Sequence, residues 1–280
     1  MKPPPIMLSF DVEDWFQSPD LQHEMPRESW SSAELRAGRN TELILEALDG
    51  AGAKATFFVL GWVAKELPWL VARIRRQGHE IASHGHEHRP VHELSALEFR
   101  EDIHVSKMIL EDLGGQEVVG YRAPRFSITP EAVEILHEEG YLYDSSLFPT
   151  RLHGAYGNVG HSFSDDRISR LPSGLLEVPI PTLPVLGMRI PWGGAGYFRL
   201  CPYSIFRRGI DLILTRTGHF VFYFHPWELD LDQPRAKNVG VGFRLRHYTG
   251  LRTSRSKLEA LIQRYGTATI HSRLVDDGWL

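Results

Sequence analysis

The chain has 280 residues, 42% hydrophobic and 24% charged, a composition typical of a globular domain and not of a disordered, collagenous or coiled-coil chain. Its 31 basic and 35 acidic side chains give a net charge of −4, which offers no electrostatic reason to expect a nucleic-acid partner. The single cysteine, Cys201, excludes an intrachain disulfide and a cysteine-based zinc cluster. Because one cysteine fits a reducing compartment and the apolar run 6–10 is too short for a signal peptide, we expect a cytoplasmic protein without a membrane span.

Strand and helix patterns alternate along most of the chain. Asn40 can cap a first helix, Ser95-x-x-Glu98 is a capping box, and Thr129 can cap a helix that begins at Pro130. Glycines or loops end each segment, and we predict loops over 17–38, 151–173 and 181–197. The predicted strands are 6–10, 55–60, 80–83, 118–121, 141–144, 175–180, 220–224 and 268–270. The predicted helices are 40–48, 63–76, 95–113, 129–139, 202–215 and 254–265.

This alternation predicts an α/β fold built on a parallel sheet. About seven strand–helix steps in one domain favour a (β/α) barrel short of eight units, and an open doubly wound sheet is the alternative. Between Gln233 and Leu258 the chain has seven lysines and arginines and no acid. That segment is either a solvated basic surface or a lid over an anionic part of a substrate.

Ionisable residues follow five of the predicted strands directly, where the carboxyl ends of a parallel sheet gather chemistry. His84 and His88 are four apart, a spacing that lets two imidazoles chelate one metal on one side of a helical turn. A carboxylate nearby would complete a site that leaves positions open for water and substrate. Arg122 can hold a carboxylate ionised through bidentate hydrogen bonds. The residues concerned are Asp11, Glu13, Asp14, His84, His88, Arg122, Asp144 and His225.

On these motifs the chain resembles the NodB-homology polysaccharide deacetylases, the fourth family of carbohydrate esterases. It looks most like the subgroup associated with bacterial exopolysaccharide and exosortase loci. The matching segments are Ser9-Phe-Asp-Val-Glu-Asp-Trp-Phe-Gln17, His84-Gly-His-Glu-His88, Tyr121-Arg-Ala-Pro124, Tyr143-Asp-Ser-Ser146 and Phe224-His-Pro226. Arg125 departs from the pattern, because the family often has an aromatic residue after the proline of the third motif.

The resemblance implies a distorted (β/α) barrel of about seven strands. It also implies metal-dependent removal of N-acetyl groups from an amino-sugar polymer or oligomer. We expect residues 1–280 to form one such domain, with 229–280 as a basic extension packed on the barrel. The metal is expected to be zinc, although the same ligand types accept Co, Mn, Ni or Fe.

Carried over by position, Asp11 would be the catalytic base, steadied by Arg122. His225 would be the general acid, with Asp144 as the residue that orients it. His84 and His88 would bind the metal. Most of the family has two adjacent aspartates in the first motif, whereas Val12 follows Asp11 here. The third metal ligand is therefore Asp14 or Glu13, and we favour Asp14.

Three other functions fit parts of the pattern. A metal-dependent hydrolase of a small non-glycan amide, such as an allantoinase-like enzyme, would use the same residues. An iron(II) oxygenase also has two histidines and a carboxylate, but those sites usually lie on β-sandwich barrels. A glycan-binding module without activity would not need the full acid–base set.

Overall fold

The computed structural model describes residues 4–150, 156–159 and 166–280. Within them the strands are β1 (Ile6–Val12), β2 (Thr56–Val59), β3 (Glu80–Ser83), β4 (Gly120–Tyr121), β5 (Tyr143–Asp144), β6 (Ser169–Arg170), β7 (Leu176–Glu177), β8 (Thr182–Val185), β9 (Met188–Pro191), β10 (Val221–Phe224) and β11 (Thr267–Ala268). The helices are α1 (Ala37–Gly50), α2 (Gly61–Glu66), α3 (Pro68–Arg76), α4 (Ala96–Gly114), α5 (Pro130–Glu138), α6 (Ala195–Leu200), α7 (Tyr203–Thr217), α8 (Val241–Tyr248), α9 (Leu251–Tyr265) and α10 (Ile270–Asp276).

Seven parallel strands form the curled main sheet, in the order β10, β1, β2, β3, β4, β5 and β7. Strand β6 extends the β7 edge antiparallel, and β11 pairs with the beginning of β1. Apart from β10, neighbours in the sheet follow each other along the chain without the reversal of strand order that defines a doubly wound sheet. The predicted α/β barrel of about seven strands is thus confirmed.

The gap between β7 and β10 is bridged by irregular chain. The Gly193 N–H donates to the Pro181 carbonyl, beyond β7, and the Gly193 carbonyl accepts from the Tyr223 N–H of β10. A Cβ at Gly193 would lie 2.7 Å from Ile180 and 2.9 Å from the Val221 carbonyl, so the residue must be glycine for the chain to pass this close. The sheet is therefore closed into a distorted barrel.

Alternate side chains of β1 pack into two different hydrophobic clusters. Leu8 and Phe10 pack with the helices on the outer face of the sheet, and Met7 belongs to a smaller cluster inside the barrel. Ile270 and Leu274 of α10 belong to that inner cluster as well. Because side chains alternate along a strand, Ser9 and Asp11 are directed to the same side as Met7, into the barrel.

Most predicted elements are present, with differences that have local causes. Pro68 breaks the helix predicted over 63–76 into α2 and α3, because proline lacks an N–H and clashes with the preceding turn. The helix predicted from Asn40 begins at Ala37. The loop predicted over 181–197 contains the β8–β9 hairpin and the start of α6. Helices α8 and α10 were not predicted as such, and part of the loop 151–173 lies outside the described residues.

No helix in the described part of the chain combines the length and apolarity needed to cross a membrane.

Candidate active site

Asp11 and Glu13 enter one pocket from the end of β1. They are two residues apart, so the alternation of the strand carries both carboxylates to the barrel side, and both are buried. The pocket has a volume of about 420 Å³, which is in the usual range for small-ligand sites. Its floor contains Asp11, Glu13, His84, His88, His225 and Trp227.

Glu13 lies with the two histidines of the second motif. Its Oε2 is 2.7 Å from His88 Nε2 and 4.0 Å from His84 Nε2, and the three donor atoms lie within 4.8 Å of one another. The histidines converge through a loop and not through the predicted helical turn, since Gly85 and His88 both have positive φ, 75° and 54°. Two imidazoles and one carboxylate on a buried pocket wall form a donor set typical of catalytic zinc sites.

The hydrogen bonding of His84 prepares it for a metal. Its Nδ1 lies 2.8 Å from the Arg122 carbonyl oxygen, which is an acceptor, so Nδ1 carries the proton and Nε2 presents its lone pair toward Glu13. Burial lowers the pKa of His84 to about 4, which keeps the ring neutral. Burial raises the pKa of Glu13, but His88 and His225 outweigh it, so the net pKa lies well below the ordinary value and the carboxylate is ionised. These residues therefore fit a divalent metal.

Asp14, the carboxylate that the sequence favoured as metal ligand, lies outside this donor set. Its Oδ1 accepts from the Trp15 N–H at 2.8 Å, and its Oδ2 accepts from the N–H groups of Arg36 at 2.6 Å and Ala37 at 2.7 Å. Asp14 thus caps its own 3₁₀ turn and the beginning of α1, which explains why α1 starts at Ala37. Of the two carboxylates that the sequence analysis left open, Glu13 lies beside His84 and His88 in the structure, and the favoured Asp14 does not.

Asn40 also differs from the expectation that it caps α1. Its side-chain amide donates to Asp230 Oδ2 at 3.2 Å.

Arg122 holds Asp11 from beneath the pocket. Its guanidinium is fully buried, and Nη1 donates to Asp11 Oδ1 at 2.6 Å. The contact to the carboxylate is a single hydrogen bond and not the bidentate pair that we expected, because the remaining N–H groups bond Ser9 Oγ and the carbonyl and hydroxyl of Ser145. This network leaves Asp11 Oδ2 facing His225.

His225 follows β10 directly and reaches the pocket beside Asp11 and Glu13. Its Nε2 is 3.9 Å from Asp11 Oδ2 and 3.7 Å from Glu13 Oε1, while Nδ1 is 2.7 Å from Glu228 Oε1. Burial lowers the pKa of His225, but Glu13, Glu228 and Asp11 outweigh it and raise the pKa to about 9. The imidazole is therefore protonated at neutral pH.

Asp144 does not contact His225. It is fully buried at the end of β5, where Ser146 Oγ donates to its Oδ1 at 2.5 Å. Burial raises its pKa to about 6, and the neighbouring Glu177 has a pKa raised well above its ordinary value by burial and by Asp144. The residue that orients His225 in the structure is Glu228, three positions further along the chain.

Glu228 and Arg199 belong to the candidate site, and the sequence reasoning missed both. Glu228 Oε2 accepts from Arg199 Nε at 2.5 Å, and both side chains are buried. The signal for Glu228 was present, because an acid three residues after a strand-end histidine can reach back to it. Arg199 had no such signal, since it comes from α6 and meets Glu228 through the tertiary fold.

Trp227 connects the two sides of the pocket. Its Nε1 donates to Glu13 Oε1 at 3.1 Å, and its ring stacks on His225 with centroids 5.0 Å apart. On the other side it stacks on His247 of α8 at 4.2 Å. A single indole therefore positions the carboxylate of the donor set and supports the imidazole of His225.

Two family models together match nearly the whole chain. Residues 3–143 match the model described as polysaccharide deacetylase, and residues 145–274 match a domain of unknown function (DUF3473). Asp11, Glu13, His84, His88 and Arg122 belong to the first segment, whereas His225 and Glu228 belong to the second. The pocket is thus built from both matched segments.

Curated relatives and solved structures agree with the first model. The chain is 32% identical over 146 residues to a peptidoglycan deacetylase-like protein of Gibberella zeae, covering 51% of this chain and 43% of that protein. It is 36% identical over 99 residues to a peptidoglycan-N-acetylglucosamine deacetylase of Bacillus cereus, covering 35% of this chain and 34% of that one. The matches thus span less than half the length of these curated relatives.

Among solved structures, a candidate polysaccharide deacetylase from Mycobacterium smegmatis superposes with a TM-score of 0.64 at 20% identity, covering 99% of this chain and 90% of that one. A family 4 carbohydrate esterase from Streptomyces lividans gives 0.52 at 13% identity, covering 96% and 93%. At these identities the likeness shows the fold.

Proposed function

The chain belongs to the polysaccharide deacetylase family, and on that premise we propose that it is a metal-dependent hydrolase that removes N-acetyl groups from amino sugars of a glycan. The observation that carries the proposal is that a candidate base and a candidate acid lie beside the same three candidate metal ligands. Asp11, held by Arg122, and His225, held by Glu228, lie beside Glu13, His84 and His88 in a single pocket. The names of two curated relatives, a peptidoglycan deacetylase-like protein and a peptidoglycan-N-acetylglucosamine deacetylase, support the same reaction class.

Glu13, His84 and His88 would hold one divalent metal. Two nitrogens and one carboxylate oxygen favour zinc, and the same set accepts Co, Mn, Ni or Fe. A cation bound there supplies Lewis acidity, which polarises the acetamide carbonyl and makes water more acidic.

Asp11 would act as the general base. Its Oδ1 is fixed by Arg122 Nη1 at 2.6 Å, which leaves Oδ2 free to take a proton from the water that attacks the carbonyl carbon. Because Arg122 is itself bonded to Ser9 and Ser145, the carboxylate keeps its orientation without help from the substrate.

His225 would act as the general acid. Glu228 fixes the ring through Nδ1, so Nε2 is the atom that faces the reacting groups. As the bond between the carbonyl carbon and the nitrogen breaks, the Nε2 proton moves to the departing amine. The products are acetate and a free amino sugar, and the proton lost by water to Asp11 balances the one that His225 gave away.

The cellular role in bacterial exopolysaccharide metabolism and the cytoplasmic location, both expected from the sequence, stay predictions. The cellular role and location determine which natural polymer the protein meets, and they do not change the chemistry proposed for the pocket.

The test is acetate release from chitotetraose by the zinc-loaded protein. We expect equal amounts of acetate and free amine, loss of both with EDTA, and recovery when zinc is added back. Asp11→Asn should lower the rate by a factor of roughly 10² to 10⁴. Asp112→Asn, the same change at an exposed position of α4, should leave the rate unchanged.

Two results would overturn the proposal. Activity on allantoin with none on any N-acetylated glycan would favour the small-amide hydrolase that the sequence left open. An unchanged rate in Asp11→Asn would remove the assigned base.

A further inference from the structure

Two arginines flank a single carboxylate at the mouth of the pocket. Arg246 Nη2 is 2.9 Å from Asp20 Oδ2, and Arg125 Nη2 is 3.9 Å from Asp20 Oδ1. All three residues line the same pocket as Asp11 and His225. The mouth therefore already binds one carboxylate between two guanidinium groups, and that carboxylate belongs to the chain itself.

Both arginines are anchored through the backbone. Arg125 and the next residue, Phe126, have φ of 56° and 57°, a left-handed conformation that non-glycine residues seldom adopt. It is held by hydrogen bonds, since the Phe126 N–H donates to the Ala123 carbonyl and the Phe126 carbonyl accepts from Gly157. The backbone is therefore strained at Arg125, whose side chain lines the pocket.

Arg246 is fixed from the opposite side. The buried Arg199 donates to the carbonyls of Arg246 at 2.7 Å, His247 at 3.0 Å and Thr249 at 2.6 Å, which secures the end of α8. The Arg246 side chain is nevertheless 57% exposed and free to change partners. A fixed backbone with a solvated guanidinium is a ready binding group for an anion.

The contacts to Asp20 are weak enough to exchange. Ion pairs between exposed side chains contribute little to stability, and Asp20 is 40% exposed. Two arginines against one aspartate leave an excess of one positive charge at the mouth. Of the lysines and arginines between Gln233 and Leu258, Arg246 lines the pocket, whereas Arg255 pairs with Glu259 and Lys257 donates to the Phe198 and Arg199 carbonyls. The positive charge that favours an anionic ligand at the mouth is therefore that of Arg125 and Arg246.

We infer that Arg125 and Arg246 form a subsite for a carboxylate carried by a sugar next to the N-acetylated one, and that Asp20 occupies this subsite until the glycan displaces it. The inference deepens the proposed function, because it names an acidic glycan as the substrate class of the same pocket. A uronic acid and the lactyl group of a muramic acid both supply such a carboxylate.

The test compares chitotetraose with the same oligomer oxidised at C6 to carry carboxylates. For the zinc-loaded wild type we expect a higher kcat/KM on the carboxylated form, with an advantage that shrinks as NaCl rises from about 50 to about 300 mM. Arg246→Gln should reduce the ratio of acidic to neutral kcat/KM roughly 5- to 10-fold. Asp20→Asn should raise that ratio, because it frees both arginines.

Arg252→Gln is the matched control, since it removes the same charge from the same basic segment at an exposed position outside the pocket. A tetrasaccharide of alternating N-acetylglucosamine and N-acetylmuramic acid distinguishes the lactyl source from the uronic one. Calorimetric binding of each oligomer to zinc-loaded Asp11→Asn measures the same preference without turnover.

The inference would be overturned if Arg246→Gln and Asp20→Asn each changed kcat/KM equally, and in the same direction, on the neutral and the acidic oligomer. In that case the contacts among Arg125, Arg246 and Asp20 would only stabilise the loops. Equal calorimetric affinity for the two oligomers would do so as well. Absence of acetate from every oligomer, with the acidic one still bound more tightly, would overturn the proposed function and leave the subsite standing.

Discussion

Glu13 and Asp14 are adjacent carboxylates with different tasks, and exchanging each for its amide separates those tasks. In the structure Glu13 is a donor of the candidate metal site, whereas Asp14 accepts three backbone hydrogen bonds at helix beginnings. We expect Glu13→Gln to lose metal and keep its fold. We expect Asp14→Asn to keep metal and lose stability.

The magnitudes follow from the contacts. Removing a residue that merely supports a metal ligand costs about 10- to 100-fold in affinity, so loss of a direct anionic ligand should weaken zinc binding by more than about 100-fold. In Glu13→Gln the side-chain amide oxygen can still accept the hydrogen bond from Trp227 Nε1, which preserves the local packing. At position 14 an amide has one oxygen instead of two, and its NH₂ group would face N–H donors. Buried donors left unpaired cost about 1–3 kcal/mol each, but burial raises the pKa of Asp14 to about 6, so removing its charge at neutral pH offsets part of this cost. We therefore expect a loss of about 1–2 kcal/mol and a fall in Tm of roughly 2–8 °C.

The assay pairs zinc titration by calorimetry with thermal unfolding of the metal-free variants. Wild type and Asp14→Asn should bind one zinc with similar affinity at a temperature where both are folded. Metal-free Glu13→Gln should unfold close to the wild-type Tm. Zinc loss in Asp14→Asn with retention in Glu13→Gln would refute the assignment and restore Asp14 as the ligand.

Two further predictions concern acids beside or below the site. Glu228→Gln should lower kcat and shift the alkaline limb of the pH–rate profile to lower pH. The proposed role of His225 requires a protonated ring, so activity should be lost as pH rises through the pKa of His225, and removing Glu228 lowers that pKa. Asp144→Asn should stabilise the fold at about pH 8 by about 1–3 kcal/mol and have little effect at about pH 4. Burial raises the pKa of Asp144 from 3.8 to about 6, so ionisation penalises the folded state as pH rises through that interval. Denaturant unfolding at the two pH values measures the difference, and equal stabilisation at both would contradict it.

The site residues that directly follow predicted strands could be predicted from the sequence. Asp11, His84, His88, Arg122 and His225 all follow strands that the apolar pattern identified, and parallel strands bring their carboxyl ends to one edge. The same alternation also favours Glu13 over Asp14. Residues 11 and 13 share a face of an extended chain, and residue 14 does not.

Other features depended on contacts that no local pattern encodes. Asp14 caps α1 across 22 and 23 positions, and Arg199 meets Glu228 across 29. The β8–β9 hairpin was read as a loop because its turn has Leu186 at φ 49° before Gly187, where an asparagine or aspartate would have been the usual signal. Tertiary contacts thus decide the roles of Asp14 and Arg199, whereas the hairpin was missed because its turn sequence is unusual.

The division of the pocket between the two matched segments explains what the second one contributes. Residues 3–143 include Asp11, the proposed base, and the donors Glu13, His84 and His88 of the candidate metal site, while Trp227 of the second segment donates to Glu13. Residues 145–274 close the barrel at Gly193 and supply His225 with its Glu228–Arg199 support. They also supply Arg246, one half of the inferred carboxylate subsite. On the proposed roles, changes at Glu228 or Arg246 of the second segment would alter proton delivery or glycan preference without replacing a metal donor. Glu13→Gln, Glu228→Gln and Arg246→Gln should therefore affect three separate measurements.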